Sequence, residues 1–228
     1  MRGRGSGKRM NSLAQAMIER LPLSDESVDM VFTDPPYSKE YLSCYSWLFS
    51  EGSRILKPNG FMFVYAGEIW IDRIFSFLKS SELTYFWRFT HLALNGEVPF
   101  VWARSVVAHA KSIIACCKSS NGVLPKPRVG GVHGVYTGRK DKRFHHWGQD
   151  VDTARYYIDC FSGLSDLICD PFLGGGTTAV ACELIRRRWI GFDVDPGALV
   201  LSTTRLADPE FRPTWNLRLP LFEEVNNE

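Results

Sequence analysis

Short apolar runs alternate along this chain with segments in which apolar side chains recur at helical spacing. The runs have the length and the β-branched or aromatic content of buried strands: VDMVFT, FMFVYAG, LTYFWRFTHLAL, KSIIACC, SDLICD and RWIGFDV. Helical spacing occurs at 41–56, 68–80, 152–162, 176–187 and in a last segment that extends to Arg205. Strands that alternate with helices of this length favour a single α/β domain over residues 1–228. Its sheet is expected to be mostly parallel, with helices on both faces.

The first of these helices is expected to stop at the sequence KPNG. Pro58 and Gly60 both disfavour its continuation. A strand is then expected to begin at FMFVYAG, after the glycine.

The run VDMVFT ends abruptly in an aspartate, two prolines and a tyrosine: Asp34, Pro35, Pro36 and Tyr37. Asp-Pro and Pro-Pro are ordinary strand terminators, so the stretch taken alone indicates a turn. Because the turn also presents a carboxylate and an aromatic ring at a strand end, it is a candidate functional element.

A glycine-rich turn follows another predicted strand, in the stretch LICDPFLGGGTTAV. Glycines let the backbone approach a ligand closely, and the start of the next helix offers unpaired N–H groups. Gly174, Gly176 and Ala179 match the dinucleotide fingerprint G-x-G-x-x-G/A. Asp193 lies 19 residues after Gly174, close to the position of a carboxylate that binds ribose hydroxyls. Taken alone, the stretch indicates a dinucleotide-dependent oxidoreductase, or a tight turn without a ligand.

Two features weigh against a dinucleotide. Asp170 places a carboxylate where a pyrophosphate would lie, whereas a cationic amino-acid-like group would favour that position. Both aspartate turns also follow predicted strands, and the carboxyl ends of parallel strands open onto one edge of a sheet, where ligands bind. The two turns therefore indicate one crevice that holds two ligands side by side.

Together, the DPPY of 34–37 and the DPFLGGGTT of 170–178 resemble the paired motifs of S-adenosylmethionine-dependent DNA amino-methyltransferases. The catalytic motif precedes the cofactor motif, an order similar to that of the beta class of bacterial and phage adenine-N6 or cytosine-N4 enzymes. The likeness extends to LPLSDESVDMVFTDPPY, RILKPNGFMFVYAG, ARSVVAHAKSIIACCK and RWIGFDVDPGALVLSTTRL. It implies a Rossmann-like methyltransferase fold, S-adenosyl-L-methionine as cofactor, double-stranded DNA as substrate and a cytoplasmic, nucleoid-associated location.

By this resemblance, the carboxylate of Asp34 and the main-chain carbonyl of Pro35 accept the two N–H bonds of the target amino group. Proline, here also Pro36, suits this turn because its fixed φ and missing N–H hold the carbonyls towards the base. Tyr37 is expected to stack on a nucleotide flipped out of the duplex. A carboxylate is too weak a base to deprotonate a neutral amine, so catalysis is expected to rest on orientation and electrostatics.

The resemblance assigns the second turn and the next strand end to the cofactor. The turn is expected to wrap the methionine part, with Asp170 near its ammonium and with Pro171, Phe172, Gly174 and Gly176 around it. Thr177 and Thr178 are expected to cap the following helix and to reach the carboxylate. Asp193 is expected to hold the ribose hydroxyls, with Asp195 as the alternative.

The target base and the reaction class stay open at this point. Aspartate at the first position of DPPY favours adenine-N6 over cytosine-N4, which more often goes with serine there. A carbon-5 cytosine methyltransferase is disfavoured because the chain contains no Pro-Cys. A dinucleotide-dependent oxidoreductase and a catalytically silent nucleic-acid-binding module remain as alternatives from other classes.

The formal charge of +2 demands no anionic partner, but the charge is unevenly distributed. The segment 118–143 carries seven Lys or Arg residues against one acid and is expected to be a flexible basic loop. Its expected nucleic-acid-binding residues are Lys126, Arg128, Arg139, Lys140, Lys142 and Arg143. The tail 1–12 is also basic, and is expected to be either an arm that binds nucleic acid or a disordered end.

The target-recognition region, 85–143 at its widest, is short. A short region implies a short target, low specificity or help from a second subunit in a homodimer. The six cysteines and five histidines show no zinc-ligand spacing, so we expect buried, reduced thiols and no metal. No apolar run approaches the ~18 residues of a membrane helix, so no membrane partner is expected.

Overall fold

The computed structural model describes residues 20–93, 100–101, 104–138 and 150–207. Within these ranges the chain forms nine strands: β1 Val28–Thr33, β2 Leu56–Ala66, β3 Thr84–Ala93, β4 Phe100–Val101, β5 Val106–Val107, β6 Ala110–Cys117, β7 Val135–Gly138, β8 Leu167–Asp170 and β9 Arg188–Gly191. The α-helices in the same ranges are α1 Leu42–Ile55, α2 Ile71–Lys79, α3 Val151–Phe161, α4 Thr177–Leu184 and α5 Pro196–Ala207. Two short 3₁₀ helices, Lys39–Tyr41 and Glu68–Trp70, precede α1 and α2. The basic tail expected at 1–12 lies outside the described residues.

Seven strands form one sheet in the order β7-β3-β6-β2-β1-β8-β9, and β4 and β5 form a separate two-stranded ribbon. Only β6 runs antiparallel to its neighbours in this sheet. The mostly parallel sheet expected from the alternation of strands and helices is therefore confirmed.

Apolar side chains on both faces of the sheet build the core. Along β1 the side chains alternate between the faces, so Val31 packs in one buried cluster and Phe32 in the other. The cluster around Val31 also contains buried residues of α1 and α2, and the cluster around Phe32 contains those of α3 and α4. Helices therefore cover both faces, as expected. All six cysteines are buried free thiols.

The stretch KPNG differs from its expected role. The helix α1 ends at Ile55, before the proline, and the chain enters β2 directly at Leu56. The pairing of β2 with β1 shifts in register across this stretch, where Asn59 has a φ of 67°. A Cβ on Gly60 would lie 2.9 Å from the main-chain oxygen of Asp29. Pro58 and Gly60 thus belong to an irregularity within the strand, a position that both residues favour.

The basic segment 118–143 also differs from a simple loop. Its residues Val135–Gly138 form β7, which pairs in parallel with β3 at the edge of the main sheet. The ring of Tyr136 stacks on Tyr156 of α3 at 4.6 Å between ring centroids. The sequence does not predict this strand, because glycines and charged residues surround it and it is short. It depends on its neighbours β3 and α3 for stability.

Candidate active site

The strand order places the ends of β1 and β8 beside each other. The chain leaves β1 through α1 towards β2 on one side, and leaves β8 through α4 towards β9 on the other. Such a switch point opens a crevice at the carboxyl ends of the strands. The two aspartate turns, 34–37 and 170–176, follow these two strands and therefore share the crevice, as the sequence predicts.

Two side-chain hydrogen bonds tie the turns together. The hydroxyl of Thr33, the last residue of β1, donates to Asp170 Oδ1 at 2.7 Å. The hydroxyl of Thr178 donates to the main-chain oxygen of Phe32 at 3.3 Å. Because both bonds are buried, the turns are held in one rigid arrangement.

The first turn places Asp34 half-buried in the crevice, with Pro35 buried and Pro36 exposed. The hydroxyl of Tyr37 donates a hydrogen bond to Asp34 Oδ1. The pKa of Tyr37 is raised well above its ordinary value, mainly by burial and to a smaller extent by the negative charge of Asp34. The phenol therefore stays protonated and acts as a hydrogen-bond donor. Gly67 leaves room for this ring, since a Cβ there would lie 3.1 Å from Tyr37 Cβ.

Lys111 completes this part of the crevice and was missed by the sequence analysis. It lies at the start of β6, the antiparallel strand, whose first residues therefore reach the carboxyl edge. Its Nζ lies 3.3 Å from the hydroxyl oxygen of Tyr37 and 4.9 Å from the centre of that ring. In the sequence Lys111 lies in the strand-like KSIIACC, and only the pairing of β6 reveals its position.

Asp170 is the buried carboxylate of the second turn, 4% exposed. Its Oδ1 accepts hydrogen bonds from the Thr33 hydroxyl and from the main-chain N–H of Phe172 at 3.0 Å. Burial raises its pKa from 3.8 to about 6, partly offset by these hydrogen bonds, and the like charge of Asp34 adds to the rise. A cation bound beside Asp170 would relieve this cost of ionisation.

The glycine-rich turn depends on backbone conformations that favour glycine. Gly174 has a φ of 48° and Gly176 a φ of 75°. A Cβ on Gly176 would lie 2.8 Å from Ser202 Cβ, so this glycine also lets α4 pack against α5. Pro171 is buried next to the turn, and the half-buried ring of Phe172 packs edge-on against Trp47.

The expected capping role of the threonines is wrong. The N-cap of α4 is Gly176, without a side-chain hydrogen bond. Thr178 instead donates to β1, and the Thr177 hydroxyl lies 3.2 Å from Arg205 Nη1. The left-handed conformation at the helix start explains this difference, because it places a residue without a side chain at the cap.

Arg205 supports the glycine-rich turn from α5 and was also missed by the sequence analysis. Its Nη1 donates to the main-chain oxygen of Gly175 at 2.7 Å, and the residue is only 1% exposed. An arginine near the end of an amphipathic helix carries no local signal for such a contact. The buried guanidinium therefore stabilises a turn that lies 30 residues away in the sequence.

Asp193 and Asp195 follow β9 at the same edge of the sheet. Asp193 Oδ2 accepts the N–H of Gly174 at 2.7 Å, and its Oδ1 accepts the N–H of Asp195 at 2.9 Å. Asp195 Oδ1 accepts the N–H of Gly197 at 2.9 Å, at the start of α5. Asp193 therefore contacts the glycine-rich turn directly, whereas Asp195 orders the next helix.

Of the basic residues expected to bind nucleic acid, the structure describes two, Lys126 and Arg128. Arg128 pairs with Asp166 at 3.1 Å, and its main-chain N–H donates to Cys160 at 2.8 Å. Asp166 directly precedes β8, so this pair lies at the amino edge of the sheet, opposite Asp170. The structure therefore does not bring Arg128 together with Asp34. The expected residues Arg139, Lys140, Lys142 and Arg143 lie outside the described residues.

A family model described as DNA methylase, of the N6/N4 methyltransferase type, matches residues 101–203. The matched range includes the glycine-rich turn and Asp193. Over this range the chain is similar to the N6/N4 DNA amino-methyltransferases, as the paired motifs predict. Enzymes of this type use S-adenosylmethionine, so the match supports the expected cofactor rather than the dinucleotide of an oxidoreductase.

Individual relatives agree with this family. The chain is 23% identical to the type II methyltransferase M.HpaI of Haemophilus parainfluenzae, over 83% of this chain and 71% of that protein. It is 24% identical to M.BamHI of Bacillus amyloliquefaciens over 82% of this chain, which spans only 54% of that protein. It is 25% identical to M2.DpnII of Streptococcus pneumoniae over 81% of this chain and 84% of that protein.

Solved structures confirm the Rossmann-like methyltransferase fold. The cytosine-N4-specific PvuII DNA methyltransferase matches with a TM-score of 0.72 at 18% identity, over 83% of each chain. M1.HpyAVI, solved as a complex with S-adenosylmethionine, matches with a TM-score of 0.67 at 21% identity, over 88% of this chain and 95% of that chain. At these identities the likeness concerns the fold alone.

The described residues contain no group of three or more His, Cys, Asp or Glu side chains arranged to hold a metal ion. Over the same ranges, no helix has the length and apolarity of a membrane span.

Proposed function

We propose that this protein methylates adenine at N6 in double-stranded DNA. The observation that carries the proposal is the connection of the Asp34 turn to the Asp170 turn, through the 2.7 Å hydrogen bond from Thr33 to Asp170. This bond keeps a site for an amino group next to a site for a cationic cofactor. Asp at position 34 supports adenine as the base, and cytosine-N4 is the alternative within the same family.

The residues of the Asp34 turn hold and orient the amino group. Asp34 accepts one N–H, and the main-chain oxygen of Pro35 accepts the other, so that the nitrogen lone pair points towards the cofactor. As positive charge develops on the nitrogen, the Asp34 carboxylate stabilises it without prior proton removal. The half-buried position of Asp34 supports this role, because electrostatic attraction is stronger there than in bulk water.

The residues of the second turn fit S-adenosylmethionine. Asp170 provides a buried carboxylate whose ionisation costs energy, and the ammonium of the methionine part would offset that cost. The positive φ of Gly174 and Gly176 exposes the backbone of the turn, and Asp193 supplies a carboxylate for the ribose hydroxyls. When bound, the cofactor supplies an activated methyl group; the chain supplies its position relative to Asp34.

The carboxyl edge of the sheet is also where we place the DNA. Gly138 and Asp150 lie together there, since a Cβ on Gly138 would overlap the carboxylate of Asp150. The basic residues between them in the sequence remain predicted DNA contacts, as does Lys126. Arg128 is not kept among them, because it pairs with Asp166 at the amino edge of the sheet. The recognition region, the homodimer and a cytoplasmic location also remain predictions.

The test is methyl transfer from labelled S-adenosylmethionine to unmethylated duplex DNA, followed by identification of the modified nucleoside. We expect N6-methyladenine from the wild type, and loss of at least about 100-fold in rate for Asp34→Ala, the scale of removing one transition-state contact. N4-methylcytosine would overturn the choice of base. No transfer by the wild type would support the catalytically silent nucleic-acid-binding module.

Asp25→Asn is the matched control for Asp34 variants. Asp25 is an exposed carboxylate that pairs with Arg20 and Arg54 near the amino end of β1. Surface pairs of this kind contribute little to stability, because solvent screens both charges. The control should therefore keep wild-type activity, and a loss equal to that of Asp34→Ala would contradict a specific role for Asp34.

A further inference from the structure

A cavity of about 350 Å³ opens beside Tyr37. This volume lies within the range of about 300–1,000 Å³ typical of small-molecule sites. Its walls lie at the carboxyl edge of the sheet and include Ile69 and Trp70 of the 3₁₀ helix after β2, together with His91, Ala108 and Lys111. The cavity adjoins the Asp34 turn, so a base whose amino group contacts Asp34 can extend its ring into it.

Lys111 and Asp34 contact the same atom from two directions. The Tyr37 hydroxyl donates to Asp34 Oδ1 and accepts from Lys111 Nζ at 3.3 Å. An ammonium offers three hydrogen-bond donors and a carboxylate only acceptors. The crevice therefore presents an acceptor and a donor close together, at the mouth of the cavity.

Bases differ in how they match such a pair. In adenine and cytosine the ring carbon that bears the amino group is bonded to a ring nitrogen with a free lone pair. The amino group, a hydrogen-bond donor, therefore lies beside an acceptor. Guanine and thymine present the reverse at the same edge, a carbonyl oxygen beside a ring N–H. The pair of Asp34 and Lys111 thus complements the amino bases and opposes the keto bases.

We propose that Lys111 is a specificity-determining residue: its ammonium donates to the ring nitrogen bonded to the same carbon as the amino group that Asp34 holds. The proposal rests on the proposed function of the Asp34 turn. A contact to the ring nitrogen forms in the bound complex and persists in the transition state. It therefore lowers KM for DNA more than it raises kcat.

The test begins with the wild-type enzyme, whose labelled product identifies the modified base and its site. A synthetic duplex with that site is then made in two forms, with the natural base or with the analogue in which C–H replaces the ring nitrogen (1-deazaadenine or 3-deazacytosine). KM and kcat are measured on both duplexes for the wild type, Lys111→Met, Lys111→Arg and the exposed-lysine control Lys79→Met.

On the natural duplex we expect Lys111→Met to raise KM about 10- to 100-fold, the scale of a hydrogen bond to a charged group, with kcat within about threefold. Lys111→Arg should recover part of this loss and Lys79→Met should show none. On the analogue, the wild type and Lys111→Met should have the same KM. The deaza change also alters the amino group itself, but it does so equally for both proteins. The difference in KM between the wild type and Lys111→Met on the same analogue therefore reports the lysine contact alone.

Two outcomes overturn different statements. If the wild type labels DNA but the lysine and analogue effects on KM add independently, the proposal for Lys111 is wrong and the proposed function stands. If the wild type labels no DNA, the proposed function is wrong, and the proposal for Lys111 with it. If Lys111→Met has a lowered melting temperature, the proposal is tested on the wild type and Lys111→Arg instead. For each of these two proteins, KM on the natural duplex is compared with KM on the analogue duplex.

Discussion

Replacement of Asp170 by Asn should stabilise the free protein and weaken cofactor binding at the same time. Asn keeps the oxygen that accepts from the Thr33 hydroxyl and the Phe172 N–H, but it carries no charge. The variant therefore removes the cost of a buried negative charge while it preserves most of the local geometry.

The magnitude follows from the pKa. A rise in the pKa of Asp170 from 3.8 to about 6 corresponds to about 3 kcal/mol of stability that the folded protein lacks when the carboxyl is ionised in both states. Between these two pKa values the folded state holds a proton that the unfolded state does not. The free energy of unfolding of the wild type therefore falls, through this group, as the pH rises towards 6.

The same relation gives the expected difference between the two proteins. Apart from a constant offset, Asp170→Asn should be more stable than the wild type by about 1 kcal/mol at pH 4.5 and by about 3 kcal/mol at pH 8. Urea unfolding of both proteins across this pH range, without ligand, measures the difference. Contributions of other titrating groups largely cancel in it.

Cofactor binding should change in the opposite direction. Calorimetry should show wild-type affinity for S-adenosylmethionine that falls as the pH drops below about 6, because a protonated Asp170 no longer attracts the ammonium. Asp170→Asn should bind about 10- to 100-fold more weakly, with little pH dependence in this window. A stability difference that does not change with pH, or unchanged affinity in the variant, would refute the reasoning.

Three further predictions concern the elements around the site. Arg205→Met should lower the free energy of unfolding by about 2–3 kcal/mol in urea, because it removes a buried donor from the Gly175 carbonyl, and it should weaken cofactor binding in calorimetry. Gly176→Ala should lower the free energy of unfolding by more than the ~1–2 kcal/mol of a left-handed alanine, because its Cβ would also contact Ser202. Gly122→Ala is the matched control in thermal unfolding, because Gly122 has a φ of 72° and open space around it. Arg128→Ala should leave the salt dependence of DNA binding unchanged, because its ion pair lies at the amino edge of the sheet.

Each of these predictions has an outcome that contradicts it. Wild-type stability of Arg205→Met would mean that the turn keeps its shape without the guanidinium. Equal losses for Gly176→Ala and Gly122→Ala would show that the contact of Gly176 with Ser202 relaxes freely. A lower salt slope for Arg128→Ala would place DNA at the amino edge as well.

The pattern along the chain determined the main elements of the fold and the two turns that define the site. Apolar runs and helical spacing depend on neighbours within a few residues, so β1, β8 and α4 could be predicted locally. Since the carboxyl ends of parallel strands share one edge, the proximity of Asp34 and Asp170 followed from their positions after β1 and β8.

Tertiary structure decided what depends on distant pairing. Only the antiparallel placement of β6 brings Lys111 to Tyr37, and only the packing of α5 buries Arg205 against Gly175. The raised pKa of Asp170 likewise arises from burial under other elements, which no neighbour in the sequence reveals. Local patterns therefore specify which groups end each strand, whereas contacts across tens of residues set their charge, their partners and the edge of the sheet at which they lie.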